Sequence, residues 1–131
     1  MNTVELEKKV KQVVHSLAYE KGCVCSVDVF LKLEYLSPKD YESWRFGKIE
    51  YLEKVCKANL RKLSLINKLI RKYANELNLE RSWTGYHRFW KGQNIKLIFS
   101  KSNDFKIEQA YATHYLNKKR IAELKGEKAG V

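Results

Sequence analysis

Between Ile49 and Leu77 the chain contains neither glycine nor proline, so nothing in that stretch resists helix formation. Leu52, Val55, Leu63, Ile66, Leu69, Ile70, Tyr73 and Leu77 fall on one side of a helical wheel, the pattern of an amphipathic helix that buries one stripe. The spacing predicts one long central helix, or two helices broken between Asn59 and Ser64. A helix of this kind gains most of its stability from packing, and the preceding sequence supplies partners for it. Val4, Leu6, Val10, Val13, Val14 and Leu17 recur at helical spacing up to Gly22, which predicts a helix over 3–20. Ser26 suits the cap of a second helix over 27–36, with Val27, Phe30, Leu31 and Leu33 inside. Ser37-Pro38 signals a third, ending near Arg45 before Gly47, because serine favours the N-cap and proline the first helical position. Two short helices joined by a tight turn resemble a helix-turn-helix, a geometry that also occurs in any small bundle.

After Leu79 the pattern changes. Residues 83–90 (WTGYHRFW) and 95–99 (IKLIF) alternate, are rich in aromatic and β-branched types, and flank a turn at Lys91-Gly92-Gln93-Asn94, which predicts a β-hairpin. Two strands alone are marginal, so one hairpin face must lie on the helices. Ser102, Asn103 and Asp104 offer caps for a last helix over 105–116, and 117–131 reads as a charged tail that frays. The expected fold is mainly helical α+β. It comprises one domain over 1–116, with an N-terminal bundle holding one long amphipathic helix, then the hairpin and a C-terminal helix.

Several classes are excluded on composition. With 44% hydrophobic residues and one proline, the 131-residue chain is not a disordered polyelectrolyte, and it can build a core without disulfides or a structural metal. No apolar run reaches the ~18–20 residues of a membrane span. Glu5 and Glu7 precede any apolar stretch, unlike a secretion signal. Cys23, Cys25 and Cys56 are odd in number, and the C-x-C at 23–25 is neither a redox C-x-x-C nor a usual zinc pair, so buried thiols in a cytoplasmic protein are expected. His15, His87 and His114 form no H-x-x-x-H or H-E-x-x-H, and there is no Walker loop or G-x-S-x-G. No cofactor or metal is expected.

The blocks WRFGKIEYLEKV (44–55), RSWTGY (81–86) and FSKSNDFKIEQAYATHYL (99–116) resemble a family of small, basic bacterial proteins. The resemblance covers roughly residues 24–116. It implies a bacterial cytosolic protein and brings no activity with it.

Charge gives the functional lead. The formal +11 is distributed unevenly: residues 1–40 hold six basic and six acidic side chains, 41–80 nine and five, and 81–131 eleven and four. On the long helix Lys54, Lys57, Arg61, Lys68, Arg71 and Lys72 lie opposite the apolar stripe. Glu50 and Glu53 stand four residues before Lys54 and Lys57 and are expected to pair with them, which leaves Arg61, Lys68, Arg71 and Lys72 as a strip for phosphates. Leu65 borders this strip. On the hairpin, burial of Ile95, Leu97 and Phe99 with Trp83 and Phe89 would turn Tyr86, Arg88, Trp90 and Lys96 outward as a platform on which unpaired bases stack. The competing arrangement covers both faces and places these rings in the core. Lys101, within Ser100-Lys101-Ser102-Asn103-Asp104 at a helix N-terminus, is a third candidate for an anion, against ordinary capping by the same residues.

The leading expectation is therefore a non-enzymatic nucleic-acid-binding domain, for RNA or single strands rather than operator DNA. A second reading is an interaction module or homo-oligomer anchored by Tyr86, Trp90 and Leu65. A third is a metal-independent ribonuclease built from His87, Arg88, Lys101, Glu108 and His114, although His114 among Ala110, Tyr111, Ala112 and Tyr115 suits a hydrogen-bonded interior position.

Overall fold

A computed structural model describes residues 2–83, 86 and 96–129. The fold is mainly helical α+β, with helices surrounding a small three-stranded antiparallel sheet. Helix α1 (Thr3–Glu20) starts where the Asn2 side chain accepts the Glu5 amide at 2.9 Å and buries Leu6, Val10, Val14, Leu17 and Ala18. Strand β1 (Cys23–Val24) follows, then α2 (Ser26–Lys32) and α3 (Pro38–Arg45). Helix α3 begins as expected: Ser37 Oγ accepts the Asp40 amide at 3.1 Å, and Pro38 occupies the first turn. Ser26 does not cap α2, which is shorter than expected. Cys25 takes the cap position, and the buried Ser26 hydroxyl donates to Asn67 Oδ1 at 2.6 Å instead.

The stretch without breakers is divided. A 3-10 turn over Leu52–Val55 precedes α4 (Leu60–Glu76), and the chain between them is extended at Cys56. Tertiary bonds override the local propensity. The Leu52 and Glu53 amides donate to Ile98 and Phe99 carbonyls at 3.1 and 2.9 Å, and the Lys57 amide donates to Tyr35 O at 2.7 Å. These amides donate to distant carbonyls in place of the carbonyls four residues earlier that a continuous α-helix would offer them. Asn59 then restarts the helix by accepting the Lys62 amide at 2.8 Å. Helix α4 buries Leu63, Ile66, Leu69, Ile70, Tyr73 and Ala74, mainly against α1, and ends at Asn78, whose φ of 57° is a helix-terminating conformation that asparagine tolerates.

Beyond α4 the order departs from expectation. Strand β2 (Glu80–Trp83) pairs with β3 (Thr113–Leu116), and β3 also pairs with β1, giving the order β1-β3-β2. Residues 113–116 are thus a strand rather than the end of the last helix. Helix α5 (Phe105–Ala112) ends at Thr113, whose amide and hydroxyl both donate to the Gln109 carbonyl, the hydroxyl at 2.7 Å, and the Thr-His-Tyr sequence that follows favours extended backbone. Of the expected hairpin, Trp83 belongs to β2 opposite Thr113, and the Leu97 amide donates to Tyr86 O at 2.7 Å. Thr84, Gly85 and 87–95 lie outside the described residues.

The expected tail is largely helix α6 (Lys118–Ala129). Asn117 caps it by accepting the Arg120 amide at 3.2 Å, and Arg120 lies over the Tyr19 ring at 4.0 Å while donating to Tyr19 O at 2.6 Å. Gly22 receives this helix: its φ is +69°, and a Cβ there would stand 2.6 Å from Ile121 Cγ1. Both conditions favour glycine.

Candidate nucleic-acid interface

Cross-strand register decides which side chains face α4. Arg81 pairs with Tyr115 and Trp83 with Thr113 in the β2–β3 ladder, so these four share one sheet face. Opposite them α4 presents Ser64, Asn67, Lys68 and Arg71, and α5, which runs directly into β3, adds Lys106, Ile107 and Gln109. Together they enclose a groove of about 590 Å³. That volume falls in the ~300–1,000 Å³ range of ligand sites.

The charged residues of the groove are all cations. Lys68, Arg71, Arg81 and Lys106 line it, no Asp or Glu does, and none of the four forms an ion pair among the described residues. The nearest carboxylate in sequence to Arg81, that of Glu80, is held by Lys118 at 2.9 Å. Burial raises the Tyr115 phenol above its usual value, while Arg81 and Arg71 pull it the other way. Tyr115 and the two arginines, which come from α4 and β2, all line the groove. Asn67 adds a neutral donor: its Oδ1 accepts from Ser26, which leaves the amide nitrogen as the group available to a ligand. Four cations with no carboxylate, set among Trp83, Ile107 and Ala110, suit an anion that also carries apolar surface.

Beside the groove lies a hollow of about 30 Å³ bordered by Trp83, Lys96, Phe99, Phe105 and Glu108. Trp83 lines both depressions, and Lys96 Nζ sits 5.2 Å from the centre of its ring. Glu108 is buried and fully engaged: its carboxylate accepts the Phe99 amide at 2.9 Å, the Ser100 amide at 2.8 Å and the Ser100 hydroxyl at 2.7 Å.

Of the residues expected from sequence, Lys68 and Arg71 line the groove and Lys96 borders the adjoining hollow. Arg61 is exposed on the same face of α4, two turns before Lys68 and about 10 Å away along the axis. Lys72 is exposed over the Tyr73 ring at 5.3 Å, and Lys101 is exposed with its amide on Glu53 Oε1 at 3.2 Å; neither lines the groove. Arg88 and Trp90 lie outside the described residues. Tyr86 is a correction. It is 8% exposed, enclosed by Trp44, Phe99 and His114 with the Arg45 guanidinium 5.0 Å from its ring centre, so it cannot carry a base. Trp83, whose burial with Phe89 is the condition for turning Tyr86 outward, is itself exposed, at the last pair of the β2–β3 ladder opposite Thr113.

The loop before α5 is occupied by its own carboxylates. Asp104 accepts the Lys106 and Ile107 amides at 3.0 and 3.3 Å, and Glu108 holds Ser100. Capping explains it. Among the expected ion pairs, Lys54 meets Glu50 at 3.7 Å, whereas Glu53 turns to the Lys101 amide and the Tyr111 hydroxyl, at 2.6 Å from the latter, rather than to Lys57.

Of the ribonuclease candidates, His87 and Arg88 lie outside the described residues, and Lys101, Glu108 and His114 are not among the residues that line the groove. His114 Nδ1 donates to Ala112 O at 3.1 Å, so Nε2 is the acceptor for the Tyr86 hydroxyl at 3.2 Å. Glu108 serves the 99–100 turn and Lys101 stands outside the groove. Leu65 is half-buried against the core. The three cysteines are free thiols, Cys25 and Cys56 pushed by burial to about 12. No three His, Cys, Asp or Glu residues among those described form a metal site, and no described helix is long and apolar enough to cross a membrane.

Sequence reasoning missed Arg81, Lys106 and Asn67. The signal for Arg81 was the alternation of Glu80-Arg81-Ser82-Trp83 just before the expected hairpin. Nothing local marks Lys106 or Asn67, whose place depends on α5 and α2 packing near α4. Comparison with family models, curated proteins and solved structures returned no match for the chain.

Proposed function

We propose that this protein binds nucleic acid, without catalysing a reaction, through the groove between α4, the β2–β3 ladder and α5. One observation carries the reading: four cations from three separate elements line a concave site that holds no carboxylate. Like charges gathered in a recess repel and lower stability, and an anionic ligand relieves that repulsion. A polymer suits the arrangement better than a small ion. Arg61 extends the cationic track along α4 beyond one end of the groove, and Lys96 continues it past Trp83. A backbone carrying one phosphate per nucleotide could engage such a track at several points.

Fluorescence anisotropy with labelled oligonucleotides over a salt series tests this. Binding should weaken steeply with salt, and Arg71→Ala with Arg81→Ala should reduce the slope of log K against log salt by about 1.4–1.8, two contacts at ~0.7–0.9 each. Lys125→Ala on exposed α6 should leave the slope unchanged. Absent or salt-independent binding at roughly 50–100 mM salt, where phosphate contacts still dominate, overturns the reading.

A further inference from the structure

Trp83 and Phe105 are large aromatic side chains left 56% and 74% exposed, whereas Trp44, Phe99 and Tyr111 are packed in the core. The two exposed rings are neighbours in space, since both border the hollow beside the groove. At about 30 Å³ that hollow is far too small to admit a base, so a flat ligand would lie across its rim, over the aromatic rings. Its one carboxylate, Glu108, is buried and already accepts three hydrogen bonds, and the Asp104 carboxylate before Phe105 is turned to the Lys106 and Ile107 amides, while Lys96 stands over Trp83 and Lys106 lies in the turn of α5 that begins with Phe105. Trp83 belongs to both depressions, so a base resting there would have its phosphates within the cationic groove.

We infer that the ligand of the groove is a single strand with unpaired bases, and that Phe105 and Trp83 form the platform on which those bases stack. This rests on the nucleic-acid reading above and adds the class of strand. Paired bases in a duplex are already stacked on their neighbours and present only edges, so they cannot use an open aromatic platform. Charge complementarity selects a polyanion, and the exposed rings select one that carries planar groups. An acidic peptide meets the first condition and lacks the second.

The experiment compares three ligands on the full chain: an oligouridylate of about 12 nucleotides, within the ~4–16 nucleotides typical of strand-binding sites; an abasic strand of equal length; and a duplex. Phe105→Ala should weaken binding of the intact strand by roughly 5- to 150-fold, the range of one lost base stack. It should leave the abasic strand's affinity and the salt slope unchanged, and Phe105→Tyr should restore wild-type affinity. The duplex should bind more weakly than the intact strand. Equal weakening of intact and abasic strands, no effect on either, or competition by polyglutamate as effective as by the strand overturns the platform. The two readings fail differently. If Phe105→Ala is silent while Arg71→Ala with Arg81→Ala still flattens the salt slope, only the platform is lost; absence of any binding removes both.

Discussion

Arg81 and Tyr115 are cross-strand partners in the β2–β3 ladder, and this pairing holds a guanidinium at the wall of a groove that offers it no carboxylate. The site is held by the sheet, and its charge is opposed by the rest of the site.

Arg81→Gln should therefore stabilise the free protein at low ionic strength while weakening ligand binding. The gain should remain within ~0.5 kcal/mol, as for most surface substitutions. Added salt should raise the melting temperature of the wild type more than that of the variant, because it screens a repulsion that the variant has already lost. Thermal melts across a salt series measure both effects, and a lower melting temperature for Arg81→Gln at low salt contradicts the prediction.

Two glycines should respond with opposite signs. Gly22→Ala places a Cβ 2.6 Å from Ile121 Cγ1 and 3.2 Å from the Ile121 backbone nitrogen at a φ of +69°, so it should cost about 1–3 kcal/mol or more and expose α6 to proteolysis. Gly126→Ala meets nothing within 4 Å, lies inside α6, and should stabilise by up to about 0.5–1 kcal/mol. Equal melting temperatures for the two variants would show that α6 does not rest on Gly22.

Glu108→Gln should destabilise by about 1–3 kcal/mol, since an amide offers one acceptor oxygen where the carboxylate offers two to the Phe99 amide, the Ser100 amide and the Ser100 hydroxyl. Hydrogen exchange should show the loss first at the Phe99 and Ser100 amides.

Stability should fall in alkaline solution before any general alkaline denaturation. Burial raises Cys25 and Cys56 from 9.0 to about 12. Below about pH 9 both folded and unfolded chains keep these protons, so the thiols add no pH dependence. Between about pH 9 and 12 the unfolded chain ionises while the folded one does not, and stability declines as pH rises. Tyr86 and Tyr111, also raised by burial, add the same sign above about pH 10. Denaturant midpoints from about pH 8 to 11 should show the decline, with a shallower slope for Cys25→Ala with Cys56→Ala.

Local rules carried much of the fold. The 3.6-residue period marked α1 to its ends, Ser37-Pro38 marked α3, and the stripe from Leu63 to Tyr73 marked the buried face of α4. They failed where distant backbone supplied the deciding bond. The amides of Leu52 and Glu53 go to carbonyls 46 residues away, which interrupts a run with no breaker in it. Thr113 leads from a helix into a strand whose partners, Cys23–Val24 and Glu80–Trp83, lie about 90 and 30 residues earlier in the chain. The candidate site was legible on α4 alone, at Lys68 and Arg71, because helical spacing collects charges that lie near in sequence. Arg81 and Lys106 join them only through the ladder and α5, and Tyr86 was misplaced because alternation names two faces without telling which one the core takes.

The direct passage from α5 into β3 has a mechanical meaning. Ala112 and Thr113 are consecutive, with the Thr113 hydroxyl locked on the Gln109 carbonyl, so one wall of the groove and part of its floor are a single piece of chain without a connector to bend. The register of Arg81 against Tyr115 and the position of Lys106 are thereby tied together through one continuous segment of backbone.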